Sequence, residues 1–521
     1  MSETIPQLLR NAAIRWGEKC ALVAMDEPPA SFAMLDAEAD RFARALIADG
    51  MQFGERLGIW APNMWEWVAA AVGAQRAGGT VVPLNMRLRM AEVADIVERA
   101  RVTRLVCIGQ YRGEDYLAML RGKDFPGVSR AIVLRSSEAR LSKPEIGWGS
   151  FLDLGAKVSA DMLAEREAQV TGDTVSDILF TSGTTGRPKG AMFTHASSVR
   201  SGHGMVNFAR VTEADCLCPL GPFAHFAGYK GGWVNGLVTG ATVCWSEAHD
   251  ADSLISAIET LRISVMPAPP VVWQDILDHP DRAQRDLSSL RFVATGSTVI
   301  PPALVRRLIE ELGVEQVGTG YGLTESGGMT NFARRNDPVV NVCETAGRPA
   351  PDAEVQIVAA DGGPCAPGIA GEILVRTPRA LCGYLDDPEA TRAVLDDEGW
   401  LHTGDVGHVD VDGYLTVTDR LKDMFITNGY NVYPAELEKL MGAIPGVAQC
   451  AVLGVPDPRK GEVGHAFVVR ASGSAVTEAA VIGWCRANIA GYKVPAGVTF
   501  LDAFPRNSQG KVLKQELRGL L

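Results

Sequence analysis

Apolar and polar positions along the first half of the chain follow two periods in turn. Leu35, Ala39, Phe42, Ala43 and Leu46 share one face of a predicted helix, with Ser31 placed to cap its start and Gly50 its end. Leu57-Gly-Ile-Trp60 then reads as a strand, Met64 to Ala77 as a helix, and Thr80-Val-Val-Pro-Leu84 as another strand. A helix near Met90 to Ala100 precedes a strand at Arg104-Leu-Val-Cys-Ile108. Strand and helix in alternation predict parallel sheets with helices on their faces. Strand patterns return at Val175-Ser-Asp-Ile-Leu-Phe180, Ala241-Thr-Val-Cys-Trp245 and Leu290-Arg-Phe-Val-Ala294.

From about residue 340 the pattern shortens. Ala353 to Val358, Gly371 to Val375 and Asp412 to Val417 are brief strands set between turn signals, a small β-rich subdomain. After Asp419-Arg-Leu-Lys422 comes a stretch with its own pattern: a helix from Ala435, strands at Gln449 to Leu453 and Ala466 to Val469, and a helix near Thr477 to Ile489. The expected fold class is α/β, with a large N-terminal lobe of parallel-sheet αβ subdomains and a small β-rich subdomain. A small mobile α+β C-terminal domain follows. The expected boundaries are 1–420 and 423–521.

Composition narrows the function classes. The 521 residues carry a net charge of −12, which opposes binding to nucleic acid. No apolar run is long enough to span a bilayer. The first residues lack a secretory signal, and Leu517-Arg-Gly-Leu-Leu521 is not a peroxisomal tripeptide, so a cytoplasmic location is expected. The 10 cysteines are scattered, and Cys216-Leu-Cys218 without a second pair is poor zinc spacing. Neither disulfides nor a structural metal is expected, and a homodimer is left open.

Candidate chemistry concentrates in Thr181-Ser-Gly-Thr-Thr-Gly-Arg-Pro-Lys-Gly190. Glycines let backbone N–H groups turn inward around an anion, hydroxyls add donors, and Lys189 adds a mobile positive charge, so phosphate is the natural ligand. The Walker spacing cannot be laid over it. Nor is Gly318-Thr-Gly320 a dinucleotide fingerprint, because Leu323 occupies the third glycine position.

This loop resembles the phosphate loop of the adenylate-forming enzymes: acyl-CoA synthetases, peptide-synthetase adenylation domains and firefly-type luciferases. Four further segments follow in that family's order. Gly320-Tyr-Gly-Leu-Thr-Glu325 resembles the adenine and metal motif, and Gly399-Trp-Leu-His-Thr-Gly-Asp405 the ribose motif. The stretch Asp419 to Pro434 resembles the hinge and thioester loop, and Pro505-Arg-Asn-Ser-Gln-Gly-Lys511 the catalytic-lysine motif.

The resemblance implies an acid–CoA ligase using ATP, Mg2+ and coenzyme A. Thr181, Ser182, Gly183, Thr184, Thr185 and Lys189 would hold the phosphates, with Thr184 and Glu325 as metal ligands. Gly296 and Ser297 would wall the adenine beside Tyr321, and Gly322 would let backbone approach the nucleotide. Thr324 would donate to the α-phosphate, and Asp405 with Arg420 would hold the ribose. Lys511 would bridge carboxylate and phosphate in the first half-reaction only. Lys422 would be the hinge, and Gly429 would line a pantetheine channel.

The acyl site is drawn from Pro222-Phe-Ala-His-Phe-Ala-Gly-Tyr-Lys230, where His225 would border the carboxylate and gate the thiol, or serve as a structural histidine. Phe226, Tyr229, Lys230 and Trp233 recur at helical spacing and would wall the pocket. Lys230 either points to solvent or meets a substrate oxygen such as a ring ketone. Residues 226–232 and 317–322 resemble those of ligases acting on the bicyclic dione propanoate (HIP) left by steroid breakdown. The expected substrate is therefore a hydrophobic or alicyclic, HIP-like acid. The alternatives are a medium- or long-chain fatty-acyl-CoA ligase, a luciferase-like monooxygenase, or an adenylation enzyme that loads a carrier protein.

Overall fold

The computed structural model describes residues 3–181, 188–246, 250–296, 300–421, 423–427, 430–506 and 512–521. The predicted apolar stripe becomes the helix Phe32–Ala48, whose first turn is capped by the Ser31 hydroxyl accepting from the Met34 N–H at 3.2 Å. Leu35, Ala39, Phe42, Ala43 and Leu46 are all buried, and Gly50 follows with φ at +82°. The next helix, Trp65–Arg76, is buried on every side from Glu66 onward rather than along a stripe. Its buried Arg76 is paired with Asp36 and Asp40.

Contacts divide the chain into two bodies, one of residues 1–354 and 375–401, the other of 355–374 and 402–521. Among the described residues, the first body is built on two sheets. In one, strands 145–147, 130–134, 102–108, 56–60, 80–83 and 175–181 run parallel in that spatial order, and 189–194 and 383–384 add antiparallel strands beyond 175–181. In the other, 316–318, 292–294, 265–267, 216–217, 242–244 and 20–24 run parallel, with 27–31 antiparallel at the edge. Cys216, Cys218 and Cys244 are free and buried within this second sheet's core.

The second body holds a sheet of strands 354–358, 371–376, 401–409 and 415–420. It also holds the long hairpin 447–457 with 461–470, against which 497–501 pairs in parallel. Both hairpin strands outrun the short apolar runs that announced them, because continuous pairing satisfies the backbone of the polar ends. No helix of the described residues is long and apolar enough to cross a membrane.

One local expectation changes. Phe226 to Trp233 is not a plain helix: Phe226–Gly228 is α-helical, Tyr229–Val234 is a π-turn, and Asn235–Thr239 resumes the α-helix. Close packing goes with the wider turn. A side chain at Gly228 would overlap the Pro222 backbone, and one at Gly232 would come within 2.9 Å of the Pro219 ring.

Candidate active site

Parallel strands 265–267, 292–294 and 316–318 end side by side, so the loops after them open at one carboxyl edge. Such an edge is where open α/β sheets take ligands. Gly296 lies in one of these loops, and a β-carbon there would meet nothing nearer than the Thr319 hydroxyl at 3.9 Å. Tyr321, half-buried, stands on the strand Gly320–Leu323, opposite Asn331. A side chain at Gly322 would overlap the carbonyl of Gly328 across this hairpin, so the glycine is required by the hairpin itself, apart from any nucleotide.

The turn that follows is locked by buried Ser326. Its hydroxyl accepts from the Leu323 N–H at 2.9 Å and lies within 2.8 Å of the Gly328 carbonyl. Thr324 and Glu325 are thereby held half-exposed. Glu325 Oε1 accepts from the Thr181 hydroxyl at 3.1 Å and the Tyr384 hydroxyl at 3.0 Å. Thr181 ends the strand Val175–Thr181, directly opposite Lys189, whose ammonium stands 5.1 Å from the Tyr384 ring centre. Burial and the Glu325 charge push the Tyr384 hydroxyl well above its ordinary pKa, so it stays a donor. Thr181 thus meets Glu325 directly, and Lys189 stands over the ring of the tyrosine that also meets it. Ser182, Gly183, Thr184, Thr185 and Ser297 lie outside the described residues.

In the second body, Asp405 and Arg420 face each other across paired strands, Arg420 Nε at 2.9 Å from Asp405 Oδ1. Their neighbour Asp419 accepts from the Ala435 N–H at 2.9 Å and the Arg420 N–H at 2.6 Å, and burial pushes its pKa up to about 6. Lys422, Gly429 and Lys511 lie outside the described residues.

His225 Nδ1 accepts from the Ala227 N–H at 3.4 Å, and burial holds the imidazole below its ordinary pKa, hence neutral at pH 7. The half-buried Phe226 ring packs on Gly328, where a β-carbon would lie 2.7 Å from it. Lys230 requires a correction: neither solvent nor a substrate oxygen is its partner. The side chain is fully buried, with Nζ 3.0 Å from Asp177 Oδ2, 2.7 Å from the Ser198 hydroxyl and 3.6 Å from the Phe193 ring centre. Tyr229 beside it packs against Trp67 and Trp233, with ring centres 5.5 and 4.6 Å away.

Sequence reasoning missed Tyr384 and Asp177. Tyr384 follows Gly383, and Asp177 sits inside an apolar strand; a lone acid in such a strand is the one signal that a buried cation awaits it.

The profile of the AMP-binding enzyme family matches residues 9–385, and that of the AMP-binding enzyme C-terminal domain matches 436–511. A methyl-dioxo-octahydroindenyl-propanoyl:CoA ligase of Mycobacterium tuberculosis is 44% identical over 99% of both chains. Its counterpart from Rhodococcus jostii is 43% identical over 99% of this chain and 98% of its own. The crystal structure of ATP-bound MatB from Rhodopseudomonas palustris is similar at a TM-score of 0.84 and 28% identity, covering 99% of each chain.

Proposed function

We propose, given that this chain belongs to the AMP-binding enzyme family, that it is an ATP-dependent carboxylic acid–CoA ligase acting on a bicyclic dione propanoate. Convergence of Thr181 and Tyr384 on Glu325, with Lys189 over the Tyr384 ring, is the observation that carries the first half of this reading. Likeness to the two propanoyl:CoA ligases along the whole chain supports the choice of acid.

In the first step a carboxylate oxygen attacks the α-phosphorus of ATP and pyrophosphate leaves. Thr181 and Tyr384 both donate to Glu325 Oε1, and this carboxylate would supply a hard oxygen to Mg2+. Mg2+ bound there would neutralise charge on the departing phosphates. Lys189, with the donors of residues 182–185, stabilises the same charge. Tyr321, with Gly296 and Ser297, would hold the adenine, Thr324 the α-phosphate, and Asp405 with Arg420 the ribose. Lys511 would bridge the reacting oxygens. In the second step the thiolate of CoA attacks the acyl carbon and AMP leaves. That step has the domain 423–521 turn at Lys422 against 1–420, bringing Gly429 to the pantetheine.

A panel of acids assayed for CoA-dependent AMP release tests this. The highest kcat/KM is expected for the keto-bearing bicyclic propanoate, ahead of octanoate and palmitate. A preference for palmitate would make the protein a fatty-acyl ligase, and acid-dependent light emission would make it luciferase-like.

A further inference from the structure

Lys230 touches two of the strands that supply the Glu325 cradle. Its ammonium meets Asp177 and Ser198 and lies on the face of Phe193, so it joins the strand leading to Thr181, the strand beginning at Lys189 and the helix His195–Ala209. Asp177 Oδ1 is in turn filled by the hydroxyls of Ser176 at 2.6 Å and Ser198 at 2.9 Å. The preceding residue is tied to the same place. Gln75 Nε2 lies 3.1 Å from the Tyr229 hydroxyl and 3.2 Å from the Ser176 carbonyl. Two consecutive residues of the π-turn are therefore anchored to two consecutive residues of one strand.

A buried ion pair adds little net stability over an apolar pair of the same size, since desolvation offsets the attraction; what it adds is direction. An apolar contact tolerates sliding, whereas an ammonium between a carboxylate, a hydroxyl and a ring face admits one register. Register matters here because a π-turn competes with the ordinary α-helix on either side of it. On the outer side of the turn His225, Phe226 and Gly231 are half-buried, while Tyr229 and Lys230 are fully buried. Phe226 packs on Gly328, in the turn that carries Glu325, and Gly231 leaves room for a β-carbon with nothing nearer than Met205 at 3.8 Å.

We propose that Lys230 is a positioning residue for acid selectivity: its pair with Asp177 locks the π-turn to the strand entering the cradle and so holds Phe226 and Gly231 at the width that admits the acid. This rests on the acid–CoA ligase reading above. It replaces direct recognition of the acid by the ammonium with recognition through the shape the ammonium maintains.

The test uses the full chain carrying Lys230→Met together with Asp177→Asn, a neutral pair of similar size, and Lys230→Met alone. In the double variant the ratio of kcat/KM for the acid best used by wild type to that for octanoate should fall on the order of tenfold, through the KM of the acid. The KM of ATP and the thermal midpoint should stay near wild type. The single variant, with Asp177 unpaired, should lose the same selectivity and melt lower. A folded double variant with unaltered selectivity, or one that loses kcat equally for every acid, overturns the proposal.

A second readout needs no substitution. Burial lowers the Lys230 pKa to about 8 despite Asp177, so its charge is present below that pH and lost above it. Burial shifts neighbouring titratable groups away from that change. His195 is neutral with a pKa near 3, and burial pushes Tyr229 and Cys382 upward. Wild-type KM for the acid should rise between neutral pH and about pH 10 while that of ATP does not; a flat profile sinks the proposal. Wild type that releases no AMP with any acid defeats the ligase reading instead, so the two failures are distinct.

Discussion

The cradle around Glu325 and the turn around Lys230 belong to one body and treat charge in opposite ways. Glu325 is half-buried and meets two neutral hydroxyls through one oxygen. Lys230 is fully buried and already spends its charge on a carboxylate, a hydroxyl and a ring. A charge that serves a ligand stays hydrated and under-used until the ligand arrives, since desolvating it in advance would be costly. A charge that serves shape is satisfied when the chain folds. Residue type alone tells neither role; what has already been matched tells both.

That contrast makes a sharp demand: changes on the phosphate side should slow every acid by one factor, and changes at the turn should reorder the acids. The largest effect is expected from Lys511→Ala, which should cut acyl-adenylate formation on the order of a thousandfold. Thioester formation from a supplied acyl-adenylate should be nearly spared. Acid-dependent pyrophosphate exchange beside CoA-thioester release measures the two, and equal losses would contradict a role confined to the first step. Next, Glu325→Gln should lower adenylation on the order of a hundredfold for all acids alike, read from kcat/KM across the panel. A ranking of acids altered by this change would erase the division between cradle and wall. The smallest effect is a matter of stability. Gly322→Ala forces a methyl group into the Gly328 carbonyl and should cost about 1–3 kcal/mol, seen as a lowered thermal midpoint before any change in acid preference.

Much of this site was legible in the sequence because its groups are local. Thr181 and Lys189 lie in one loop motif and meet as strand partners, and Glu325 follows Tyr321 and Gly322 within a few residues. The helix capped by Ser31 was readable for the same reason. Tyr384 was not, since its partner Glu325 lies 59 residues away and nothing local marks the meeting. The fate of Lys230 was obscured differently. Phe226, Tyr229, Lys230 and Trp233 do repeat at α-helical spacing, but glycines and close packing go with a wider turn, and the carboxylate that meets Lys230 comes from a separate strand. Gly322 was expected to make room for a nucleotide, and its own hairpin proves to need it too.

The aromatic packing about Tyr229 has an optical consequence. Trp67 and Trp233 lie with ring centres 6.1 Å apart and form a triangle with that tyrosine, and neither indole N–H has a hydrogen-bond partner among the described residues. Indole emission responds to small changes in ring contact and in access to water. Displacement of this turn by an incoming acid would therefore alter the fluorescence of two reporters already packed against it, giving the chain its own gauge of how tightly a given acid fits.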